Sequence, residues 1–356
     1  MTTTGERPRR ARARAGSAPG RTPVMADVAR LAGVSSQTVS RVINDSPSIR
    51  PATRQRVQEA IEQLGYRPNI AARALVSGRT GLIGIIGMGG SYFGPTTIQR
   101  SLEDAARAEG LFPTSVSLSE FSRSALQSAI EHLMHAGVEG MVMVAGHDEA
   151  LEVMRNHRTS VPCVVAEGDL TRARLAVGVD QVAGSRAATR HLIDLGHTEI
   201  AHVCGPTDWV EARARRDGWE TELREAGLPT GRTLLGDWSP ERGYAAGLQL
   251  AQLPGVTAVV VGNDQMAVGV LRALHERGLR VPDDISVVGF DDLPESAFLI
   301  PPLTTVRQDF AAVGRLAIEV LRDAIRSGPT SAAPDLILPE LVVRASTAPP
   351  PTRRRA

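Results

Sequence analysis

At 356 residues, 42% of them hydrophobic, the chain is long enough to bury one small core and one large one. All 40 basic residues are Arg, and the absence of Lys excludes Schiff-base catalysis and a P-loop lysine. Net charge is only +1, but residues 1–80 hold 14 Arg against 5 acids while the remainder carries −8, so the electrostatic footprint for nucleic acid lies at the front alone.

Residues 1–23, rich in Arg, Pro, Gly and Ser, read as a disordered basic tail that adds non-specific phosphate attraction. A dispensable extension, with Met25 as an alternative start, fits equally well. This stretch has no apolar segment of the secretory type, and no run in the chain reaches membrane-spanning length. The expected location is cytoplasmic and nucleoid-associated, with no membrane partner.

MADVARLAGVSSQTVSRVIN, Met25 to Asn44, is the stretch around which the chain is organised. Val28 and Leu31 fall on one face of a short helix that Gly33 ends in a left-handed turn. Ser35 suits the cap of a second helix whose Val39, Val42 and Ile43 face inward. Ser36, Gln37, Ser40 and Arg41 then project outward. Two short helices around a tight Gly turn make a helix-turn-helix, whose second helix enters the DNA major groove; an ordinary helical hairpin with a solvated face is the alternative. Pro51 opens a third helix, with Val57, Ile61 and Leu64 at i, i+4, i+7 and Gly65 as its stop.

In RPNIAARALVSGR, Asn69 caps a helix-prone stretch of about two turns, too short to be stable alone in water. It is expected to form only against a partner. Ala71, Ala72 and Ala74 would let two such helices approach closely, whereas a plain linker has no need of the exposed Leu75.

From Leu82 the pattern changes to short apolar runs (LIGIIGM, VEGMVMVAG, PCVVAEG, EIAHVCG, AVVVGN, ISVVGF) alternating with amphipathic helices. That alternation predicts parallel sheets covered on both faces, in two units divided near Asp180. HAGVEGMVMV, DLGHTEIAHVC and ERGLRVPDDISVV each pass from helix through Gly into a buried strand. Cys163 and Cys204 sit in such strands as inert buried thiols.

No constellation argues for catalysis. GGSYFG places its closing Gly one residue late for a nucleophile elbow, and GMGGSY puts Tyr92 where a dinucleotide fingerprint needs Gly. The eight His form no metal-ligand spacing, and His191 and His197 read as surface or cap residues. No cofactor, metal or catalytic residue is expected. What remains is polar groups at strand ends, where parallel sheets hold ligands: Glu167, Asn263 and Asp291, with Arg213 and Arg215 on a nearby helix. Together they offer donors and acceptors for paired hydroxyls; helix capping is the equal alternative for the three strand-end groups. Trp209 and Trp219 read as helix-packing residues.

DVARLAGVSSQTVSRVIN, TRQRVQEAIEQLGYRPNIAARAL, VVGNDQMAVGVLRAL, DISVVGFDD and IPPLTTVRQDF together resemble the lactose-repressor (LacI/GalR) family of bacterial transcription regulators, with the pattern nearest to that of its type member. The resemblance runs from Val24 to about Ala345. It implies a multidomain chain: an all-α three-helix DNA-binding domain at 24–68, a hinge helix at 69–79, and a two-lobed α/β body of the periplasmic-binding type at 80–345. Lobe 1 would comprise about 80–179 plus 309–337, lobe 2 about 180–308 plus 338–345, and 346–356 would be a second disordered tail. The resemblance assigns DNA contact to Ser36, Gln37, Ser40 and Arg41 in the major groove and to Asn69, Ala72 and Leu75 in the minor groove, Leu75 wedging open a pyrimidine–purine step. Gln37 can pair with adenine and Arg41 with guanine.

For the effector, Arg215, Asn263 and Asp291 match the family's contacting residues, and Trp238 and Phe310 its ring-stacking positions. Glu167 stands where the type member has Asp, and Tyr92 and Phe93 add aromatic bulk in the other lobe; both departures bear on which sugar is bound. The resemblance therefore implies a repressor that binds palindromic operator DNA as a homodimer under control of a monosaccharide, disaccharide or glycoside. STAPPPTRRRA lacks the leucine heptads with which the type member forms tetramers. A purine-type corepressor or protein co-effector remains an alternative, and a sugar-binding transport protein is the rival of a different class, disfavoured by the basic head.

Overall fold

The computed structural model describes residues 23–43, 46–66, 79–90, 92–120, 122–144, 146–148, 150, 152–153, 159–168, 170, 173–328 and 335–352. The chain divides into two compact units, 1–80 and 81–356. The hinge positions Asn69, Ala72 and Leu75, and the N-terminal tail to residue 22, lie outside the described residues.

The first unit holds helices α1 (Met25–Ala32), α2 (Ser36–Ile43) and α3 (Pro51–Leu64). Gly33 turns α1 into α2 at φ 65°, a conformation that costs glycine nothing. Ser35 caps α2, its hydroxyl accepting the Thr38 amide at 3.1 Å. Val28, Ala29, Ala32, Val39, Val42, Val57, Ala60 and Tyr66 close a core between the three helices. Leu31 corrects the sequence reading, since it is 45% exposed. Val28, Ala29 and Ala32 centre the buried stripe of α1, and the helical turn carries Leu31 past its edge.

The second unit is built on two six-stranded sheets. In chain order its elements begin β1 (Leu82–Met88), α4 (Phe93–Ala108), β2 (Phe112–Leu118), α5 (Arg123–Ala136), β3 (Gly140–Val144), β4 (Cys163–Ala166) and β5 (Ala176–Val179). They continue through α6 (Gln181–Asp194), β6 (Ile200–Cys204), α7 (Val210–Glu225), β7 (Thr233–Leu235), α8 (Pro240–Leu250), β8 (Ala258–Val261), α9 (Asp264–Glu276) and β9 (Ser286–Asp291). The last are β10 (Thr304–Arg307), α10 (Phe310–Ser327), β11 (Asp335–Ile337) and β12 (Glu340–Val342).

One sheet runs β11-β5-β4-β3-β1-β2, all parallel; the other runs β12-β10-β9-β8-β6-β7, parallel except for the β10–β12 pair. The chain thus passes between lobes three times, after β5, after β10 and between β11 and β12. Strands buried on both faces read as the continuous apolar runs of the sequence: every residue of β3, β6, β8 and β9 is buried. Helix α10 packs its apolar face, Val313, Ala317, Ile318 and Leu321, into the core of the first lobe, although it follows a strand of the second. Gly137, Gly196 and Gly278, at the three repeated helix exits, all have positive φ. Burial raises the pKa of both thiols, which keeps Cys163 and Cys204 protonated.

Two further expectations are corrected. Residues 346–348 are not a free tail: Ser346 is fully buried, its hydroxyl accepting the Thr304 amide at 2.8 Å and donating to the Val287 carbonyl at 2.6 Å. His197 is not a surface residue but 1% exposed, bonded to the Thr257 hydroxyl at 2.8 Å and the Ala348 carbonyl at 2.9 Å. The segment is held at the start of β9, where the Val287 amide donates to the Ser346 carbonyl and Ala348 bonds to both Ser286 and His197.

Candidate functional site

At the carboxyl ends of the strands, a cleft opens between the lobes, where parallel sheets present loop backbone and helix N-termini to ligands. It brings together all seven sequence-nominated residues of the body: Tyr92, Glu167, Arg215, Trp238, Asn263, Asp291 and Phe310. Arg213 is not among them. It turns to Asp148 in a two-pronged ion pair at 2.7 and 2.9 Å and to the Thr207 carbonyl. Two residues apart on α7, the two Arg point about 200° from one another, so only one can face the cleft.

Arg215 is 6% exposed and forms the centre of a closed network. Its guanidinium donates to Gln181 Oε1 at 2.9 Å and to the Gly262 carbonyl, and lies 3.4 Å from Asp291 Oδ1. Gln308 Nε2 donates to the same Asp291 oxygen at 2.6 Å, and Gln181 Nε2 to Gln308 Oε1 at 2.8 Å and to Glu167 Oε2 at 3.2 Å. Glu167 also accepts the Val179 amide at 2.9 Å. The guanidinium carbon sits 3.9 Å above the Phe290 ring and 5.4 Å from that of Trp238, which favours a cation on an aromatic face. Asn263 both caps α9, accepting the Met266 amide at 2.9 Å, and donates to the Trp238 carbonyl at 3.2 Å.

The aromatic residues form two groups. Trp209 stands 5.2 Å from Tyr92 and 5.9 Å from Trp238 between ring centroids, and Phe93 meets Phe310 edge-on at 6.1 Å. Trp209 therefore corrects the expectation that it merely packs a helix. Trp219 does pack one: it is fully buried and stacks on His202 at 5.4 Å. The backbone is strained here: of the four described non-glycine residues with positive φ, Glu167 (65°), Trp238 (74°) and Asp291 (106°) line the cleft. Such conformations cost about 1–3 kcal/mol each and collect at functional sites.

Burial pushes Glu167 up to about 8, with the Glu211 carboxylate adding to the effect and the Val179 amide, Gln181 and Arg215 opposing it. Burial also raises Glu211. Asp291 rises to about 6 through burial, held back mainly by Arg215.

Gln181, Trp209, Glu211, Gln265 and Gln308 also line the cleft and were not nominated by sequence reasoning. A signal for four of them was present: Gln181 follows β5, Gln308 follows β10, and Trp209 and Glu211 follow β6, all at strand carboxyl ends. Glu211 also lies four residues before Arg215, on the same helix face. In the first unit, Ser36, Gln37 and Arg41 are exposed along α2, and Ser40 is half-buried. Among the described residues no helix is long and apolar enough to cross a membrane and no side-chain group could hold a metal ion.

Residues 24–69 match the family described as bacterial regulatory proteins, lacI family, and residues 189–347 match a periplasmic binding protein-like domain. The ribose operon repressor of Escherichia coli K12 is 36% identical over 309 residues, covering 83% of this chain and 91% of that protein. The lactose operon repressor of the same strain is 34% identical over 332 residues, with 92% and 91% covered. A crystal structure of the lac repressor dimer bound to operator and the anti-inducer ONPF superposes with a TM-score of 0.82 at 32% identity, covering 92% of this chain and 100% of that one.

Proposed function

Because the chain belongs to the lacI family of bacterial regulatory proteins, we propose that it is a sequence-specific transcriptional repressor whose operator affinity is set by a small sugar or glycoside held between its two lobes. The observation that carries the effector class is the Arg215–Asp291–Gln308–Gln181–Glu167 network lining one cleft together with the Tyr92, Trp209 and Trp238 rings. Fixed donors and acceptors suit adjacent hydroxyls, and flat rings suit the apolar faces of a pyranose. Relatives named for ribose and lactose operons support the same class; a purine corepressor is less supported. A transport protein has no use for the DNA-binding end matched at 24–69, and the relatives are repressors rather than enzymes, so we assign no catalytic step.

In this reading two protomers each place an α2 in the major groove of one half-site, so the operator is near-palindromic. Gln37 and Arg41 read adenine and guanine edges, with Ser36 and Ser40 beside them. Residues 69–79 form the paired hinge, Asn69 and Ala72 at its contacts and Leu75 in the minor groove. Lobes of 80–179 plus 309–337 and of 180–308 plus 338–345 change their arrangement with the effector and thereby permit or forbid that pairing. A complete reversal of occupancy needs about 5.5 kcal/mol of differential affinity.

Fluorescence anisotropy of the full chain on a palindromic and a scrambled duplex, with sugars titrated in, tests the proposal. Leu75→Ala is expected to weaken operator binding by about tenfold or more while sugar affinity stays within about twofold; equal loss of both would end the separation of roles. Arg41→Ala should relax preference at one operator base pair by about 1–3 kcal/mol, and an unchanged preference would remove Arg41 from base readout.

A further inference from the structure

The cleft holds more acidic groups than basic ones. Glu167, Glu211 and Asp291 all line it, and among the described lining residues Arg215 is the one cation. That guanidinium is committed to Asp291, Gln181 and the Gly262 carbonyl. Asn263 is committed to the Met266 amide and the Trp238 carbonyl, and Arg213 to Asp148 outside the cleft.

Glu211 is the group left over. It is 9% exposed; its carboxyl is met by the Glu211 and Gly168 amides, but among the described residues its Oε2 has no hydrogen-bond partner. The space it occupies is reserved for it: a Cβ on Gly146 would stand 2.8 Å from that oxygen and 3.1 Å from the Trp209 ring. A buried carboxylate oxygen without a donor is costly unless a ligand supplies one, and an ionised carboxylate calls for a positive charge rather than a hydroxyl alone.

We infer that the effector carries a basic nitrogen, and that its ammonium group sits against Glu211 and Glu167 with the Trp209 and Tyr92 rings beside it; the ligand class is an amino sugar or aminated glycoside. The inference rests on the reading of the cleft as a sugar site and narrows it. Aromatic faces next to paired carboxylates are the environment in which a desolvated ammonium is held. The mutual repulsion of Glu167 and Glu211, which helps to push Glu167 up to about 8, is relieved by a cation placed between them.

Calorimetric titration of the full chain at pH 7 tests this. The probes are glucosamine, galactosamine and the de-acetylated glucosamine disaccharide, each beside its neutral parent (glucose, galactose, cellobiose) and its N-acetylated form. The expected result is that one aminated probe binds about tenfold or more tighter than both its parent and its N-acetylated form. That ratio should fall toward one in Glu211→Gln, an isosteric change whose folding is checked by thermal melting. Glu167→Gln serves as the second variant and is expected to reduce the ratio in the same direction. A neutral parent that binds as tightly as its amine, or a preference that survives both substitutions, overturns the inference and leaves the sugar reading standing. If neither series binds and a purine does, the sugar reading itself fails and the inference falls with it.

Discussion

The two lobes build opposite walls of the same cleft. The first contributes Tyr92, Phe93, Pro95, Ile98, Val144 and Phe310, and one charged group, Glu167. The second contributes Arg215, Asp291, Asn263, Gln265 and Glu211, with Trp209 and Trp238 beside them. The polar wall is pre-ordered, because Arg215, Asn263 and Asp291 are already held by backbone carbonyls, amides and one another. The apolar wall gains by losing water when the lobes meet, a contribution that scales with buried area and carries no direction. In the proposed function, orientation and specificity would therefore fall to the second lobe and the drive to close to the first.

The largest expected effect tests the polar wall. Arg215→Ala leaves Asp291 buried without its counter-charge and removes the cation from the Phe290 ring. Loss of one partner of a buried pair typically costs about 3–5 kcal/mol, so urea unfolding of the full chain should show a loss of that order and the effector response should vanish. Retained stability would mean that the second lobe is not organised around this residue.

Glu167 sharpens the comparison as the one acid on the apolar side. Its pKa moves from 4.5 in the unfolded chain to about 8 when folded. The unfolded chain therefore gives up this proton first, folding takes one up across that window, and stability falls as pH rises through it. Glu167→Gln should remove part of that slope, stabilising the ligand-free protein at pH 8 relative to pH 5.5 by up to a few kcal/mol, since each tenfold change in proton affinity is worth about 1.4 kcal/mol. Buried His202, lowered to about 4, acts in the opposite sense at acid pH and cancels between variant and parent. An unchanged slope on thermal melts would show that Glu167 is not buried in solution.

The smallest effect concerns the apolar wall. Tyr92→Ala removes a half-buried ring packed on Trp209. It should lower effector affinity by about 0.5–1.5 kcal/mol while moving the melting temperature little. A large stability loss instead would make that ring structural.

Much of this architecture was legible in the chain. The helix-turn-helix followed from the spacing of Val39 and Val42 and the turn at Gly33. The doubly wound body followed from apolar runs alternating with amphipathic helices, and Glu167, Asn263 and Asp291 from their places at strand ends. Applied with equal weight to every strand, the same rule would also have nominated Gln181, Gln308 and Glu211. Leu31 was misplaced because two apolar residues three apart do not fix the centre of a helical stripe.

Local pattern determined the elements of this protein, because period, caps and turn residues act over a few neighbours and are written in the order of the residues. The family resemblance already pointed to Arg215 and to 309–337 in the first lobe; tertiary structure alone decided why Arg213 turns away, that Ser346 is buried, and that Glu167 and Glu211 share one desolvated space. Each of these depends on a helix azimuth, a crossing between sheets or a dielectric set by residues distant along the chain, and none of those quantities has a local signature.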